Sequence, residues 1–174
     1  RVRGDRGKRR SAGGCAGPRR PGPPMRSVRG GPRPGCPARA ATDMFVDLHI
    51  HSCLSPCADD DMTPANICGM AHLKGLQMIA VTDHNCAKNL PYVKVCADAY
   101  GLLLIPGMEI TTREEVHMLG YFPDVETALS FSDFLKGHMP KAKNRPDFFG
   151  HQYVMNDDDE VVEYTTDPEL IYEK

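Results

Sequence analysis

The sequence lacks any apolar run near the roughly 18 residues that a membrane-spanning helix requires. Residues 1–43 also lack the shorter apolar run that defines a secretory signal. The seven cysteines, at positions 15, 36, 53, 57, 68, 86 and 96, form neither a CxxC pair nor the paired framework of small secreted domains. We therefore expect a cytoplasmic chain with reduced thiols and no membrane partner.

Acidic residues are scarce in residues 1–43, which contain only Asp5 and Asp43 beside 12 of the 21 Lys and Arg and 16 Gly or Pro. Residues 44–174 hold 9 basic and 21 acidic residues. The formal net charge of −2 is therefore the sum of a basic N-terminal segment and an acidic remainder. A segment so poor in apolar residues cannot offset its chain entropy by burial, and we expect a disordered arm.

Arg1 opens the chain, whereas Met44 stands immediately before the first predicted strand. We therefore expect residues 1–43 to be translated non-coding sequence and the native start to be Met44. Met25 is a less attractive start, because it would retain another disordered stretch. The alternative function for the segment is a basic arm that binds nucleic acid.

Two histidines at strand spacing occur in the sequence Asp47-Leu48-His49-Ile50-His51-Ser52. Side chains alternate along a strand, so His49 and His51 project from the same face and can reach one metal ion. Residues 44–49 are predicted to form a buried strand. Cys53 and Cys57 flank the pair and are conceivable ligands, although small loop and packing residues are the better interpretation.

The following residues alternate between amphipathic helices and short apolar strands. Helices are predicted from Thr63-Pro64 to Gly75, before Gly101, and over residues 124–135. Strands are predicted over residues 77–82, 102–105 and 115–122, with a turn at 106–109 that places Glu109 at a strand end. This alternation predicts the α/β class, with right-handed crossovers and a parallel sheet or barrel.

The pattern weakens beyond residue 136. Residues 152–155 and 160–164 predict a hairpin whose turn contains three consecutive acids, which we interpret as a solvated turn in preference to a cation site. Residues 167–169 resemble the start of a helix, and the sequence stops shortly afterwards at Lys174. We expect a truncated gene product.

Potential metal ligands fall at or beside the predicted strand ends, where sites form in parallel α/β folds. Imidazole and carboxylate together suit zinc, manganese or iron, and a glutamate can bridge two ions. Metals held a few ångströms apart can polarise a phosphate and generate hydroxide at neutral pH, which predicts hydrolysis of a phosphoester by metal-bound water. The candidate residues are His49, His51, Asp83, His84, Glu109 and His117.

Four segments resemble, in order, the first motifs of the polymerase and histidinol phosphatase (PHP) family. They are Asp-Leu-His-Ile-His-Ser, Thr-Asp-His-Asn, Pro-Gly-Met-Glu and Glu-Glu-Val-His-Met-Leu-Gly-Tyr, and together they cover about residues 44–122. The resemblance implies a distorted (β/α)7 barrel that binds up to three divalent metals (Zn, Mn or Fe) at its C-terminal rim. Residues 44–174 would form an incomplete, N-terminal part of that barrel, with a hairpin-like insertion at about 147–164.

The resemblance also implies a role for each matching residue. His49 and His51 would hold one metal, with Glu109 as the bridging carboxylate. His117 would join Glu109 on the second metal.

The third metal would be held by His84 and an acid from the loop after the first strand. Asp59 is the best match for that acid, with Asp60 and Asp61 possible. Asp83, next to a ligand, is better interpreted as a residue that orients the ligand than as a ligand itself.

This sequence departs from the family pattern at its C-terminal end. The family completes its site with a further His or Cys and a late Asp-x-His, and no Asp-x-His occurs after residue 122. His72, His138 and His151 are interpreted as ordinary surface or packing residues. We therefore expect this fragment to lack late ligands and to bind metal and catalyse less well than a complete domain.

The implied function is that of a stand-alone metal-dependent phosphoesterase. Within the family the substrates range from histidinol phosphate to nucleotides and short oligonucleotides, so the expected partner is a phosphorylated small molecule, nucleotide or oligonucleotide. The alternative is a non-catalytic, metal-stabilised module of a larger nucleic-acid-processing protein.

Overall fold

A computed structural model describes residues 43–165 of the chain. The predicted disordered arm, except for Asp43, and the predicted helix start at 167–169 lie outside this range. None of the helices within it is long and apolar enough to cross a bilayer. The elements are β1 (Val46–Ile50), α1 (Pro64–Leu73), β2 (Met78–Val81), α2 (Leu90–Tyr100), β3 (Leu103–Thr111), β4 (His117–Tyr121), α3 (Val125–Lys136), α4 (Pro146–Phe149), β5 (Tyr153–Met155) and β6 (Val161–Tyr164).

The three long helices lie where the sequence predicts them, whereas the short α4 is not among the predictions. The side chain of Thr63 accepts a hydrogen bond from the backbone N–H of Asn66 and caps α1. Asp124 caps α3 in the same way, accepting from the N–H of Thr127 at 2.7 Å. The α2 helix ends at Gly101, whose φ of 68° lies in the left-handed region that glycine adopts without a side-chain penalty.

The main sheet contains four strands in the order β1-β2-β3-β4. The first three strands are parallel, as predicted, but β4 pairs with β3 in the antiparallel direction. The predicted turn at 106–109 is also wrong, because β3 continues through these residues to Thr111. Pro106 and Gly107 take a strand conformation, and the Pro106 carbonyl accepts a hydrogen bond from the Phe122 N–H at 2.9 Å. Glu109 therefore lies inside a strand.

The hydrophobic core lies between the sheet and the helices. Ile79 and Val81 of β2 are fully buried, and one face of each long helix packs in the same cluster. The helix residues of that cluster are Ile67, Cys68 and Ala71 of α1, Leu90, Val93, Cys96 and Ala97 of α2, and Ala128 of α3. The prediction that β1 is buried is wrong: Phe45 and Val46 are 62% and 42% exposed, because β1 is an edge of the sheet in the described part of the chain.

The sheet is strongly curled. The hydroxyl of Tyr121 on β4 donates a hydrogen bond to the Leu48 carbonyl on β1 at 2.9 Å. In a flat sheet these two strands would lie about 14 Å apart, since neighbouring strands are about 4.8 Å from one another. The predicted α/β class and incomplete barrel are therefore confirmed, with the correction that its fourth strand is antiparallel.

The hairpin of β5 and β6 packs on the loop that follows β1. The N–H of Tyr153 donates to the Cys53 carbonyl at 2.9 Å. Gly150, just before the hairpin, has a φ of 99°, and a Cβ added there would lie 2.4 Å from the Pro56 carbonyl oxygen. The backbone at Gly150 therefore packs directly against the loop at Pro56.

Gly107 has no room for a side chain at the centre of the curled sheet. A Cβ at this position would lie 2.6 Å from Thr82 Cγ2 and 3.2 Å from the Val81 carbonyl oxygen. We expect Gly107→Ala to lower the free energy of unfolding by about 1–3 kcal/mol, because the strands must separate to admit the methyl group. Urea denaturation of the chelator-treated protein measures this change.

Gly137→Ala is the matched control. Gly137 follows α3 with a φ of −67°, and an added Cβ would only touch the Phe134 carbonyl oxygen at 3.4 Å. We expect this substitution to leave the unfolding midpoint close to that of the wild type. Equal midpoints for the two variants would contradict the tight packing inferred at Gly107.

Candidate metal centre

The C-terminal end of β2 lies between the C-terminal end of β1 and the middle of β3, and backbone pairing continues beyond the regular strands. The N–H of Thr82 donates to the Ile50 carbonyl at 2.7 Å. The N–H of Asn85 donates to the Glu109 carbonyl at 2.9 Å, and the N–H of Glu109 donates to the Asp83 carbonyl at 3.1 Å. This backbone ladder brings the residues after β1 and β2 beside Glu109.

Glu109 lies at the centre of four imidazole rings. Its Oε2 lies 2.9 Å from Nε2 of His49, 2.9 Å from Nε2 of His51 and 3.8 Å from Nδ1 of His84. Its other oxygen, Oε1, lies 2.8 Å from Nδ1 of His117. One oxygen of the carboxylate thus faces His49, His51 and His84 and the other faces His117, an arrangement in which a carboxylate could bridge two ions.

The spacing of these atoms fits metal coordination. Ligand atoms about 2.1 Å from one ion and about 90° apart lie about 3 Å from each other. Nε2 of His49 lies 3.1 Å from Nε2 of His51, and both lie 2.9 Å from Glu109 Oε2. Nδ1 of His84 is buried near the same carboxylate and has no hydrogen-bond partner among the described residues.

The charges of the centre are set by burial and by the neighbouring rings. Burial acts to raise the pKa of the Glu109 carboxyl, but hydrogen bonds from His49 and His117 outweigh it, and the pKa lies below its ordinary value. Burial and the neighbouring His51 charge lower the pKa of His84 to about 4. At neutral pH the centre therefore combines an ionised carboxylate with an uncharged ring, which are the forms that bind metals.

A buried network of hydrogen bonds lies behind the four imidazoles. Asp83 accepts hydrogen bonds from the N–H of Ser52 at 2.7 Å, the hydroxyl of Ser52 at 2.6 Å and the hydroxyl of Ser55 at 2.7 Å. The Ser55 hydroxyl oxygen also accepts a hydrogen bond from the backbone N–H of His84, and it lies 3.2 Å from Nδ1 of His51. The network leaves Nε2 of His51 directed at Glu109. That Asp83 orients a metal ligand stays a prediction.

Asn89 ties this network to the hairpin. Its amide nitrogen donates to the Ser52 hydroxyl oxygen at 2.9 Å and to the Tyr153 carbonyl at 3.2 Å. Its amide oxygen accepts from the Met155 N–H at 3.1 Å. No motif in the sequence marks Ser55 or Asn89 as part of the centre. The position of Ser52 directly after the histidine pair is the one signal that could have drawn attention to it.

The structure does not bring the predicted acid of the third metal to the other ligands. The Asp59 carboxylate is exposed and accepts from the N–H of Asp61 in its own turn. Asp60 is directed elsewhere, with Oδ2 3.1 Å from Nδ1 of His151. Among the described residues, none of the three acids belongs to a group whose ligand atoms lie close enough to share an ion.

Cys57, in the same loop, lies close to two of the imidazoles. Its sulfur and one ring nitrogen each of His51 and His84 all lie within 4.8 Å of one another. Burial raises the pKa of the Cys57 thiol above its ordinary value. Cys53, the other cysteine of this loop, is buried, and its sulfur contacts the Tyr153 carbonyl at 3.7 Å, as expected of a packing residue.

Two other histidines have local partners in the described chain. The ring of His72 lies against Tyr100 with centroids 5.4 Å apart, and His138 Nδ1 lies 2.8 Å from the Phe134 carbonyl oxygen. Neither belongs to a group of potential metal ligands in the described range.

Comparisons with known proteins identify relatives over much of the described range. A family model of the PHP domain matches residues 47–165. The 5'-3' exoribonuclease of Haemophilus influenzae is 31% identical over 77 residues, which are 42% of this chain and 27% of the relative. The 3',5'-nucleoside bisphosphate phosphatase of Chromobacterium violaceum is 29% identical over 104 residues, which are 56% of this chain and 35% of the relative.

The similarity to a solved structure is weaker. An amidohydrolase from Chromobacterium violaceum, with bound sulfate and no metal, gives a TM-score of 0.43 at 25% identity, covering 53% of this chain and 33% of that one. The chain thus spans about a quarter to a third of the length of these three relatives.

Asp83 must be a carboxylate to satisfy its neighbours. The Ser52 hydroxyl donates to Asp83 and already accepts from Asn89 and from the Leu54 N–H, so it has no acceptor capacity left. In Asp83→Asn one amide N–H would face this oxygen, and we expect a loss of about 1–3 kcal/mol in the free energy of unfolding. Urea denaturation of the chelator-treated protein measures it.

Asp98→Asn provides the control for this charge removal. Asp98 is exposed on α2 and pairs only with Lys94 one turn away, so we expect a change below about 0.5 kcal/mol. An Asp83→Asn variant as stable as Asp98→Asn would show that the buried network does not require the carboxylate.

The lowered pKa of His84 predicts how the stability of the metal-free protein depends on pH. Since the unfolded ring takes up its proton near pH 6.5 and the folded ring near pH 4, the stabilisation is complete above about pH 6.5 and is lost as the pH falls towards 4. Urea denaturation across this pH range measures the loss. The His84→Asn variant should lose less stability over the same range, and an unchanged slope in this variant would contradict the assignment.

Proposed function

Because this chain belongs to the PHP domain family, we propose that it forms part of a metal-dependent phosphoesterase, which hydrolyses a phosphate ester of a nucleotide, an oligonucleotide or a small phosphomonoester. The observation that carries the proposal is the position of Glu109, one of whose oxygens lies 2.9 Å from His49 and His51 while the other lies 2.8 Å from His117. A buried carboxylate with this surrounding is suited to hold two divalent ions side by side.

The proposed ligand sets follow from the two sides of Glu109. His49, His51 and Oε2 of Glu109 would hold one ion, and His117 with Oε1 of Glu109 would hold the second. His84 would contribute its unpartnered nitrogen beside them. Zinc, manganese and iron all accept this combination of imidazole and carboxylate.

Such ions, when bound, polarise a phosphate and lower the pKa of a coordinated water towards neutrality. The residues of this chain supply the conditions for that chemistry. Glu109 remains ionised because the surrounding imidazoles lower its pKa, and Ser55 contacts Nδ1 of His51 so that Nε2 stays directed at the centre. The uncharged His84 adds no positive charge that would repel a cation.

The exposure of the ligands supports a substrate that approaches from one side. The side chains of His49 and His117 are 46% and 36% exposed, whereas those of Glu109 and His84 are 8% and 6% exposed. The centre thus has a buried base and an open rim, at which a phosphate carried by a larger molecule can enter. The names of the two curated relatives, an exoribonuclease and a nucleoside bisphosphate phosphatase, support a nucleotide or oligonucleotide as that molecule.

Removal of His49 tests the proposal. We expect the chelator-treated full chain to release phosphate from an aryl phosphate after addition of Mn²⁺ or Zn²⁺, and His49→Ala to lower this release by at least about 100-fold, because one ligand of the first ion is lost. A colorimetric phosphate assay gives the rate. His138→Ala is the matched control, since it removes a histidine outside the centre and should retain the rate.

A second readout separates the enzyme from the metal-stabilised module. If the ions served stability alone, chelation would lower the thermal unfolding midpoint and no preparation would release phosphate. Phosphate release that persists undiminished in His49→Ala would contradict the proposed centre.

A further inference from the structure

Cys57 is the one cysteine among the described residues that groups with imidazoles of the centre. Its sulfur and ring nitrogens of His51 and His84 are mutually within 4.8 Å. Two turns fix its position: the N–H of Ser55 donates to the Ser52 carbonyl, and the N–H of Ala58 donates to the Ser55 carbonyl, each at 2.9 Å. The loop therefore presents this thiol to the histidines through its own backbone geometry.

The ring of His84 provides an independent indication that a ligand binds within this cluster of side chains. Its side chain is 94% buried, and its Nδ1 has no hydrogen-bond partner among the described residues. The nearest carboxylate oxygen, Oε2 of Glu109, is 3.8 Å away, which is too far for a hydrogen bond. A buried polar atom without a partner is unfavourable, and a bound cation would satisfy it.

The donor set at this position differs from the rest of the centre. A thiolate with imidazole is typical of zinc, whereas manganese and magnesium prefer oxygen ligands. We propose that Cys57 and His84, beside His51, form a thiolate-containing metal position that selects a thiophilic divalent ion such as zinc over manganese. The proposal rests on the metal centre of the proposed function and replaces the acid predicted for the third metal.

Cys57 is the residue that allows this position to be tested separately. His51 also belongs to the group with His49 and Glu109, and His84 also belongs to the group with Glu109 and His117. Substituting either histidine would therefore disturb two groups at once. Cys57 belongs to one of the three groups of potential ligands in the described chain. Its side chain is exposed and is not part of either hydrophobic cluster, so we expect truncation to alanine to leave folding intact.

Cobalt provides a direct probe, because a thiolate bound to Co²⁺ gives an intense charge-transfer absorption in the near ultraviolet. The chelator-treated full chain, kept reduced, is titrated with Co²⁺. We expect one charge-transfer band in the wild type and its loss in Cys57→Ala. Cys96→Ala, which removes a buried cysteine on α2 outside the groups, should retain the band.

Metal affinities give the second readout. By competition with a coloured chelator, we expect Cys57→Ala to bind Zn²⁺ at least about 10-fold more weakly while its affinity for Mn²⁺ changes less than about 3-fold. Cys57→Asp, which supplies an oxygen ligand at the same place, should lower the ratio of zinc to manganese affinity relative to the wild type. Equal unfolding midpoints of the metal-free proteins confirm that the variants are folded.

The outcomes distinguish this proposal from the function on which it rests. Co²⁺ binding without a charge-transfer band in the wild type, or a band that persists in Cys57→Ala, would overturn the thiolate position and leave the imidazole and carboxylate centre intact. Failure of the wild type to bind Co²⁺, Zn²⁺ or Mn²⁺ at all would overturn both.

Discussion

The carboxylate of Glu109 is the group on which the rest of the centre depends. It can face four imidazoles because β3 pairs with different strands on its two sides: β2 lies parallel on one side and β4 antiparallel on the other. The pairing with the residues after β2 brings His84 beside Glu109, and the pairing with β4 brings His117 to the other carboxylate oxygen. A strand that ended at the predicted turn would have lost the second contact.

A cluster of imidazoles around one carboxylate must be held in place by something other than itself. The buried carboxylate of Asp83 supplies that support through Ser52 and Ser55, and Asn89 extends the same network to the hairpin. Each of these polar groups is hydrogen-bonded, so the network favours one arrangement of the loop without leaving these buried atoms unsatisfied. The hairpin therefore contributes to the centre indirectly, by fixing the loop that presents its ligands.

The elements could be predicted from the sequence more readily than their arrangement. The caps at Thr63 and Asp124 and the left-handed Gly101 mark helix ends that local chemistry determines, and the structure confirms them. The direction of β4 could not be predicted in this way, because an alternating pattern fits a strand of either direction. Proline and glycine at 106–107 suggested a turn, but the glycine is required by the close approach of Thr82 and Val81 and not by a change of chain direction.

The group of His51, Cys57 and His84 shows why spacing along the sequence predicts side-chain positions poorly within a loop. Asp59 stands only two residues after Cys57, but the two lie in successive turns. Ser55 is bound to the buried Asp83, so the turn that begins at Ser55 is fixed against the centre and directs Cys57 towards the imidazoles. The next turn, closed by the Met62 N–H on the Asp59 carbonyl at 3.0 Å, leaves the Asp59 side chain exposed. The hydrogen bond from Ser55 to Asp83 thus places Cys57, and not Asp59, beside the imidazoles. Serine is not a candidate metal ligand, so a search for ligand motifs does not reveal this contact.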